Sequence, residues 1–250
     1  LIADDPKQRW NLDDIGHWLG GRRLGSKPSG QIKKAQRNFD FGGKPFSNPR
    51  LLAHAMTKQP DLGARIVEDG SLDRWLRRSI GDEDRAELVS AAAVSASAQQ
   101  RGGTLQERVV TRVTMAIDPA APVRFREAAA FPGGVGGQLS QMLIAGQPPK
   151  SIADIISAQF ILSWINSQTD LGGETTSLTQ TFEAQRMLLE RNQYGFGIER
   201  VAYELNPSLP CLSSLVESYH PLTLKAVATA IEEVAANTTD DDKREPMDRH

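Results

Sequence analysis

The amino-acid sequence predicts an all-α fold, an irregular array of short helices with one minor β-hairpin near residues 38–47. Apolar residues recur at helical spacing between frequent Pro and Gly stops. Aromatic residues make up only 6% of the 250 residues while Ala is abundant, which suits small aliphatic side chains packed helix on helix. The chain is long enough to bury one large core or two modest ones.

The first helix is predicted to begin after Asn11 and to end at a Gly pair. Asn11 is a suitable N-cap, and Asp13 and Asp14 favour the first helical turn. The basic residues 22–37, rich in Gly, Ser and Lys, predict a linker. The apolar face of this helix is predicted to comprise Leu12, Ile15, Trp18 and Leu19.

Residues 38–122 are predicted to form a first helical unit, which opens with the hairpin. Gly42-Gly43 supplies its turn, between "FDF" and "KPF". Residues 109–117 are β-branched and partly alternate, so a strand competes with a helix there. Five further helices are predicted. The first begins at Pro49, with Leu51, Leu52 and Ala55 as an apolar stripe, and the second spans Pro60 to Asp69. The third begins at Ser71 with Leu72, Trp75, Leu76 and Ile80 inward, the fourth spans Asp82 to about Gln100, and the fifth begins at a capping box of Thr104 and Glu107.

Residues 123–236 are predicted to form a second helical unit, and the charged, apolar-poor residues 237–250 a disordered tail. The second unit is predicted to contain the helices Gln138–Ala145, Ile152–Asn166, Leu178–Asn192, Ile198–Leu205 and Leu222–Ala236.

A weak internal sequence similarity, called the echo below, links the two units. Trp164 follows Trp75 by 89 residues, and Leu205-Asn206-Pro207 follows Ile117-Asp118-Pro119 by 88. Apolar–Asp/Asn–Pro after a helix is a common stop signal, so the echo indicates either a diverged tandem repeat or a chance recurrence. The repeat alignment favours a helix for residues 109–117.

Residues 1–21 resemble the end of the protein-kinase C-lobe. The order is Leu1-Ile2, then Asp5-Pro6, two spacers, Arg9-Trp10 and the predicted helix. In that family the motif's Arg pairs with a Glu of an upstream Ala-Pro-Glu segment, which this chain lacks. The start at Leu1 rather than Met also suggests a fragment of a longer protein. An ordinary helix–turn–helix opening is the alternative interpretation.

The remaining chain is similar to helical extensions found C-terminal to some large bacterial Ser/Thr kinases. The shared pattern comprises Phe39, Phe41 and Gly42, then Leu52-Ala53, Gly70-Ser71-Leu72 and Trp75-Leu76, and the later "YGFGIERVAYELNPSLPC". These regions have no defined role, so the resemblance implies architecture more than mechanism.

The triplet Asp40-Phe41-Gly42 matches the metal-binding motif of kinases only in its letters. In a kinase that motif comes about 100 residues before the C-lobe ends, whereas here it follows residues 1–21. A Gly-rich loop, a strand Lys and a catalytic Asp with a following Asn do not accompany it. We therefore expect no catalytic, cofactor-binding or metal-binding residue in this segment, and ATP and Mg²⁺ only in an upstream kinase domain.

Other candidate chemistry is sparse. The Gly-rich stretch Gly133–Gln141 lacks the Gly-Lys-Ser/Thr of a phosphate loop, so a flexible connection is favoured over an anion site. Cys211 and His220 could form a nucleophile pair, but a buried apolar role for Cys211 is favoured. Trp75 and Trp164 are expected to be core anchors, with a partner-binding groove as the alternative. The histidines His17, His54, His220 and His250 show no metal-binding spacing.

Composition bears on the partners and the compartment that the chain is expected to have. The net charge of -2 does not favour a nucleic-acid partner, and no apolar run approaches a membrane span. The single cysteine is typical of a cytoplasmic protein. We expect the non-catalytic C-terminal portion of a bacterial Ser/Thr protein kinase, serving regulation or docking of a protein substrate or partner. The alternatives are a free-standing helical interaction or scaffold protein, and an enzyme of unknown type using the loop near Gly133.

Overall fold

The same succession of elements, a β-hairpin and then five helices, occurs twice along the chain. The computed structural model describes residues 10, 12–21, 34–168, 173–191 and 193–237. Unit 1 comprises β1 (Phe39–Phe41), β2 (Lys44–Phe46), α2 (Pro49–Lys58), α3 (Pro60–Glu68), α4 (Ser71–Trp75) with a π-helical continuation (Leu76–Ile80), α5 (Glu83–Ala98) and α6 (Leu105–Ile117).

Unit 2 repeats this order. It comprises β3 (Val123–Phe125), β4 (Ala128–Ala130), a 3₁₀ turn (Pro132–Gly134), α7 (Val135–Ile144), α8 (Lys150–Ser157), α9 (Phe160–Ser167), α10 (Glu174–Leu189) and α11 (Ile198–Leu205). Outside the two units lie α1 (Leu12–Leu19), a 3₁₀ turn (Glu217–Tyr219) and α12 (Leu224–Asn237). The predicted mostly helical fold with a minor hairpin is confirmed, and a second hairpin that was not predicted accompanies it.

Both hairpins are antiparallel and close with two-residue turns. Phe41 pairs with Lys44 across Gly42-Gly43, and Phe125 pairs with Ala128 across Arg126-Glu127. Both turn glycines of the first hairpin have positive φ, which costs Gly little. In the second hairpin Arg126 adopts a φ of 54° without that advantage.

Sequence-encoded caps fix several helix ends. Asn48 accepts a hydrogen bond from the amide of Arg50 at 2.9 Å, and Pro49 follows as the first helical residue. The predicted capping box is present, because Thr104 accepts from the Glu107 amide at 3.2 Å and Glu107 accepts from the Thr104 amide at 2.8 Å. Residues 109–117 are helical, so the strand alternative is wrong there.

Other boundaries differ from the predictions. The predicted helix Ile152–Asn166 is two helices, because Gln159 adopts the left-handed conformation with a φ of 56° and separates α8 from α9. Helix α7 begins at Val135 instead of Gln138. Leu51 is exposed, and the stripe that α2 buries comprises Pro49, Leu52, Ala53 and Met56.

The described residues form two hydrophobic cores, one centred in each unit, and Met115 of α6 belongs to the core of unit 2. The core of unit 1 includes Phe41, Leu52, Met56, Leu72, Trp75 and Val113, and that of unit 2 includes Phe125, Leu139, Ile155, Phe160, Trp164 and Val201. The end of the predicted linker is attached to unit 1, because Ala35 donates its amide to the carbonyl of Ser47 and Gln36 to that of Ser79, each at 2.8 Å.

The two buried tryptophans make equivalent hydrogen bonds. Nε1 of Trp75 donates to the carbonyl of Arg37 at 2.8 Å, and Nε1 of Trp164 donates to that of Ala121 at 2.7 Å. Each acceptor lies two residues before the first strand of its unit. The indoles therefore tie each hairpin to the same helix of its unit, which supports a diverged tandem repeat.

Candidate docking surfaces

The junction between the units is built around two glycines of the α5–α6 linker. Gly102 and Gly103 have φ values of 94° and 77°. A Cβ on Gly102 would lie 2.5 Å from the Cβ of Ala158 and 3.0 Å from the ring of Phe160, and one on Gly103 would lie 3.0 Å from the ring of Phe125. Unit 2 therefore sits directly on the linker backbone of unit 1, where only glycine leaves enough space.

Polar side chains of unit 1 complete this junction. The side-chain amide of Gln99 donates to the carbonyl of Ala158, and its oxygen accepts from Nη2 of Arg112 at 2.6 Å. Arg112 also donates to the hydroxyl of Ser163 at 2.9 Å, and its guanidinium lies 5.7 Å from the ring centre of Phe160. Burial lowers the pKa of Arg112. The start of α9 is thus held by both apolar contacts and hydrogen bonds.

A charged cluster flanks the junction at the second hairpin turn. Arg126 forms ion pairs with Glu107 at 2.8 Å and with Asp154 at 3.2 Å, and its guanidinium lies 4.8 Å from the ring centre of Phe125. The hydrogen bond from Arg126 holds the pKa of Glu107 below its ordinary value, and the Thr104 amide acts in the same direction. The carboxylate that caps α6 also binds unit 2.

The linker between α10 and α11 is a second glycine-containing surface. Gly195 and Gly197 have φ values of 78° and 97°. They line an open depression of about 470 Å³ together with Tyr194 and Phe196. Tyr194 is 90% exposed, and the guanidinium of Arg191 lies 4.8 Å from the ring centre of Phe196. Aromatic side chains and the charged side chains of Arg191 and Glu199 thus surround open backbone at this surface.

Helix α1 is amphipathic, yet it buries no residue against the described part of the chain. Leu12 is 86% exposed, Leu19 is 73% exposed and Trp18 is 53% exposed. The ring of Trp18 lies 6.2 Å from that of Trp10. The remaining kinase-like motif, Leu1 to Arg9, lies outside the described residues, as do Asn11, most of the predicted linker (22–33) and the predicted tail from residue 238.

The C-terminal segment brings together Cys211 and His220, the proposed nucleophile pair. Both line a cavity of about 360 Å³ with Leu143, Ser214 and Glu217 among its other walls. Cys211 is half-buried, and its amide donates to the carbonyl of Pro221 at 2.9 Å. The fold thus places the Cys211 thiol and the His220 imidazole at one cavity.

The other predicted candidates have structural roles. Trp75 and Trp164 are 6% and 7% exposed, so they are core residues instead of groove residues. Asp40 accepts a hydrogen bond from the amide of Gly43 at 3.2 Å and so belongs to the hairpin turn. Burial lowers the pKa of the His54 imidazole, and the positive charges of Arg124 and Lys58 act in the same direction. Within the described ranges no group of three His, Cys, Asp or Glu residues is placed to hold a metal ion.

The stretch Gly133–Gln141 is an ordered helix start, which corrects the predicted flexible connection. A Cβ on Gly136 would overlap the backbone carbonyl of Leu205, so this glycine allows α7 to approach α11 closely. Ser140 lies in the same contact, where its hydroxyl accepts from the side chain of Asn206 at 2.9 Å. Close packing against α11 thus explains the glycine at position 136 without a role in phosphate binding.

The sequence pattern did not single out the glycine pairs as interaction surfaces. Gly102-Gly103 was interpreted only as a helix break, and Gly195 and Gly197 only as part of a shared family pattern. The available signal was their position, since each pair lies just before the last helix of its unit.

Comparison with family models, curated proteins and solved structures finds no significant match to this chain.

Proposed function

We propose that the chain is the non-catalytic C-terminal portion of a bacterial Ser/Thr protein kinase, and that it regulates the kinase or docks its protein substrates or partners in the cytoplasm. The observation that carries the proposal is the apolar face of α1, which buries no residue against the described part of the chain. An amphipathic helix gains stability mainly by burying that face, so its partner surface is sought elsewhere in the parent protein.

The resemblance of residues 1–21 to the end of a kinase C-lobe supplies that partner. Helix α1 would complete the hydrophobic core of the upstream kinase domain, and units 1 and 2 would follow on the far side of the linker. The helical units support a docking role, because rigid arrays of helix pairs offer extended surfaces for protein contacts. In the described chain no helix is long and apolar enough to cross a membrane.

The upstream coding sequence tests the kinase attachment. We expect a strand Lys, a catalytic Asp followed by Asn, and a metal-binding Asp-Phe-Gly ahead of residue 1. If the upstream sequence lacks this set, the kinase proposal is wrong and the second candidate function remains, that of a free-standing interaction or scaffold protein. That alternative is favoured by the hydrophobic core centred in each unit, since such units need no kinase domain for their folding.

A further inference from the structure

The cavity that Cys211 and His220 both line has no role in the proposed function. It has a volume of about 360 Å³, which falls within the range of small-molecule sites. Its apolar lining residues are Leu143 and Ile144 at the end of α7, and Pro210 and Leu212. Its polar lining residues are Cys211, Ser214, Glu217 and His220. Apolar walls with a few convergent polar groups are the usual composition of a ligand site.

Backbone hydrogen bonds bring Cys211 and His220 together from separate positions in the sequence. The amide of Cys211 donates to the carbonyl of Pro221 at 2.9 Å, so the residue next to His220 is paired with Cys211. The amide of His220 donates to the carbonyl of Glu217 at 3.2 Å, and His220 has a φ of 48°. The imidazole and the Glu217 carboxylate thus extend from one tight turn, directly before the residue that pairs with Cys211.

The cysteine is anchored by its neighbours, yet its cavity is open to solvent. The amide of Leu212 donates to the hydroxyl of Tyr203 in α11 at 2.9 Å, and Leu209 belongs to the core of unit 2. Cys211 itself is half-buried, whereas Glu217 and His220 are exposed. A dissolved molecule can therefore enter between these side chains and reach a sulfur atom that the fold holds in place.

Glu217 gives the cavity a preference between charged molecules. Its carboxylate lies in the lining, and within the described ranges the lining contains no Lys or Arg. A carboxylate attracts an ammonium group and repels another carboxylate, and over a few ångströms near a protein surface this changes an approach rate by roughly fivefold or more. A small cation therefore reaches the thiol more readily than an anion of the same size.

We propose that Cys211 is a modification site, at which the thiol forms a mixed disulfide with small, positively charged disulfides of the aminothiol class. The imidazole of His220 accepts the thiol proton, and the thiolate attacks one sulfur of the incoming disulfide. The reagent's S–S bond breaks as the new S–S bond forms, and the departing thiolate takes up the proton. One thiol is consumed and one is released, so the incoming disulfide is the only oxidant. This site goes beyond the docking role and requires no kinase domain.

Rates of thiol modification on the full 250-residue chain test the proposal. Because the chain has a single cysteine, each attached half-reagent reports on this cavity and is counted by mass spectrometry. The probes are cystamine and dithiodipropionate, which are similar in size and opposite in charge. Their rate ratio is compared with that of the chain unfolded in urea, since this comparison removes their different intrinsic reactivities. We expect the cystamine preference of the folded chain to exceed that of the unfolded chain by at least roughly fivefold.

Two substitutions separate the roles of the lining residues. Glu217→Gln should bring the rate ratio of the folded chain within about twofold of the unfolded value, because it removes the charge and keeps the shape. His220→Asn should slow both reagents at pH 7 by at least roughly fivefold, because it removes the base. Asn also tolerates a positive φ, so the turn is retained. His54→Asn, at an exposed histidine of α2, is the matched control and should leave both rates unchanged.

Three outcomes would overturn the proposal: a folded chain that does not react with cystamine, a rate ratio that is equal in the folded and unfolded chains, or rates that His220→Asn leaves unchanged. The comparison of the folded and unfolded wild-type chain requires no substitution, so it decides the proposal even if a variant folds poorly. Since the reaction requires no kinase, its failure is distinguishable from failure of the kinase attachment.

Discussion

Gly102 and Ala158 lie so close together that a Cβ added to Gly102 would stand 2.5 Å from the Cβ of Ala158. This contact joins the two units and explains a glycine at the end of the α5–α6 linker. We expect Gly102→Ala to lower the free energy of unfolding by roughly 2–5 kcal/mol, because it adds both overpacking and left-handed strain.

Gly43→Ala is the matched control for this change. Gly43 also has a positive φ, 74°, but a Cβ there would meet no atom within 4 Å. It should cost only about 1–2 kcal/mol, the strain alone. Urea unfolding of both variants measures the difference, and equal costs would contradict the close inter-unit contact.

The equivalence of the two tryptophans predicts equivalent stability effects. Trp75→Phe and Trp164→Phe each leave a backbone carbonyl without its indole donor and remove some buried ring area. Each should cost on the order of 3 kcal/mol, and the two costs should agree within about 1 kcal/mol. Trp18→Phe, on the exposed α1, should change stability by less than about 0.5 kcal/mol. A large cost at only one of the buried positions would argue against the repeat.

The left-handed residue between paired helices predicts a stabilising substitution. Gln159 has a φ of 56°, and its counterpart in unit 1 is Gly70, with a φ of 71°. We expect Gln159→Gly to raise the free energy of unfolding by about 0.5–1 kcal/mol, after allowance for the greater entropy of glycine in the unfolded chain. Gly70→Gln should lower it. Thermal unfolding of both variants checks the prediction, and destabilisation by Gln159→Gly would refute it.

Glu107 predicts a pH dependence of stability. Its pKa lies below the ordinary value because Arg126 donates to the carboxylate, so the folded chain binds a proton there more weakly than the unfolded chain. The contribution is present above the unfolded pKa of about 4.3 and is lost as the pH falls through the lower folded value. Glu107→Ala should therefore cost on the order of 2 kcal/mol at pH 7 and progressively less below about pH 5.

The measurement for Glu107 is urea unfolding at a series of pH values between 7 and 3. Glu87→Ala provides the control, because Glu87 is an exposed residue of α5. A difference between wild type and Glu107→Ala that stays constant over this range would show that the carboxylate charge is not what stabilises the junction.

Much of the fold could be predicted from local signals. Pro49 after Asn48, the Thr104–Glu107 box and the Asp118-Pro119 stop are chemical features of helix ends, and they placed those ends correctly. The first hairpin was predictable because Gly42-Gly43 supplies its turn. The second was not, because its turn is Arg126-Glu127, held by tertiary ion pairs that no local pattern specifies.

The break between α8 and α9 was missed for a similar reason. In unit 1 the equivalent break carries Gly70, but in unit 2 Gln159 adopts the left-handed conformation under the constraint of the surrounding packing. The candidate docking surfaces could not be predicted, because the sequence does not show which glycines another element covers. Gly102 lies against Ala158, whereas a Cβ on Gly195 would meet no atom within 4 Å.

Phosphorylation kinetics of the parent protein test the central claim, that this chain is the docking or regulatory portion of a kinase. The comparison is between the full parent protein and one ended after residue 21, each assayed on a generic peptide and on the native protein that the full kinase phosphorylates most in a cell extract. We predict that truncation leaves the peptide rate within about twofold and lowers kcat/KM on the native protein by at least roughly tenfold. Equal rates of both forms on both substrates, or a parent protein that transfers no phosphate, would contradict the claim.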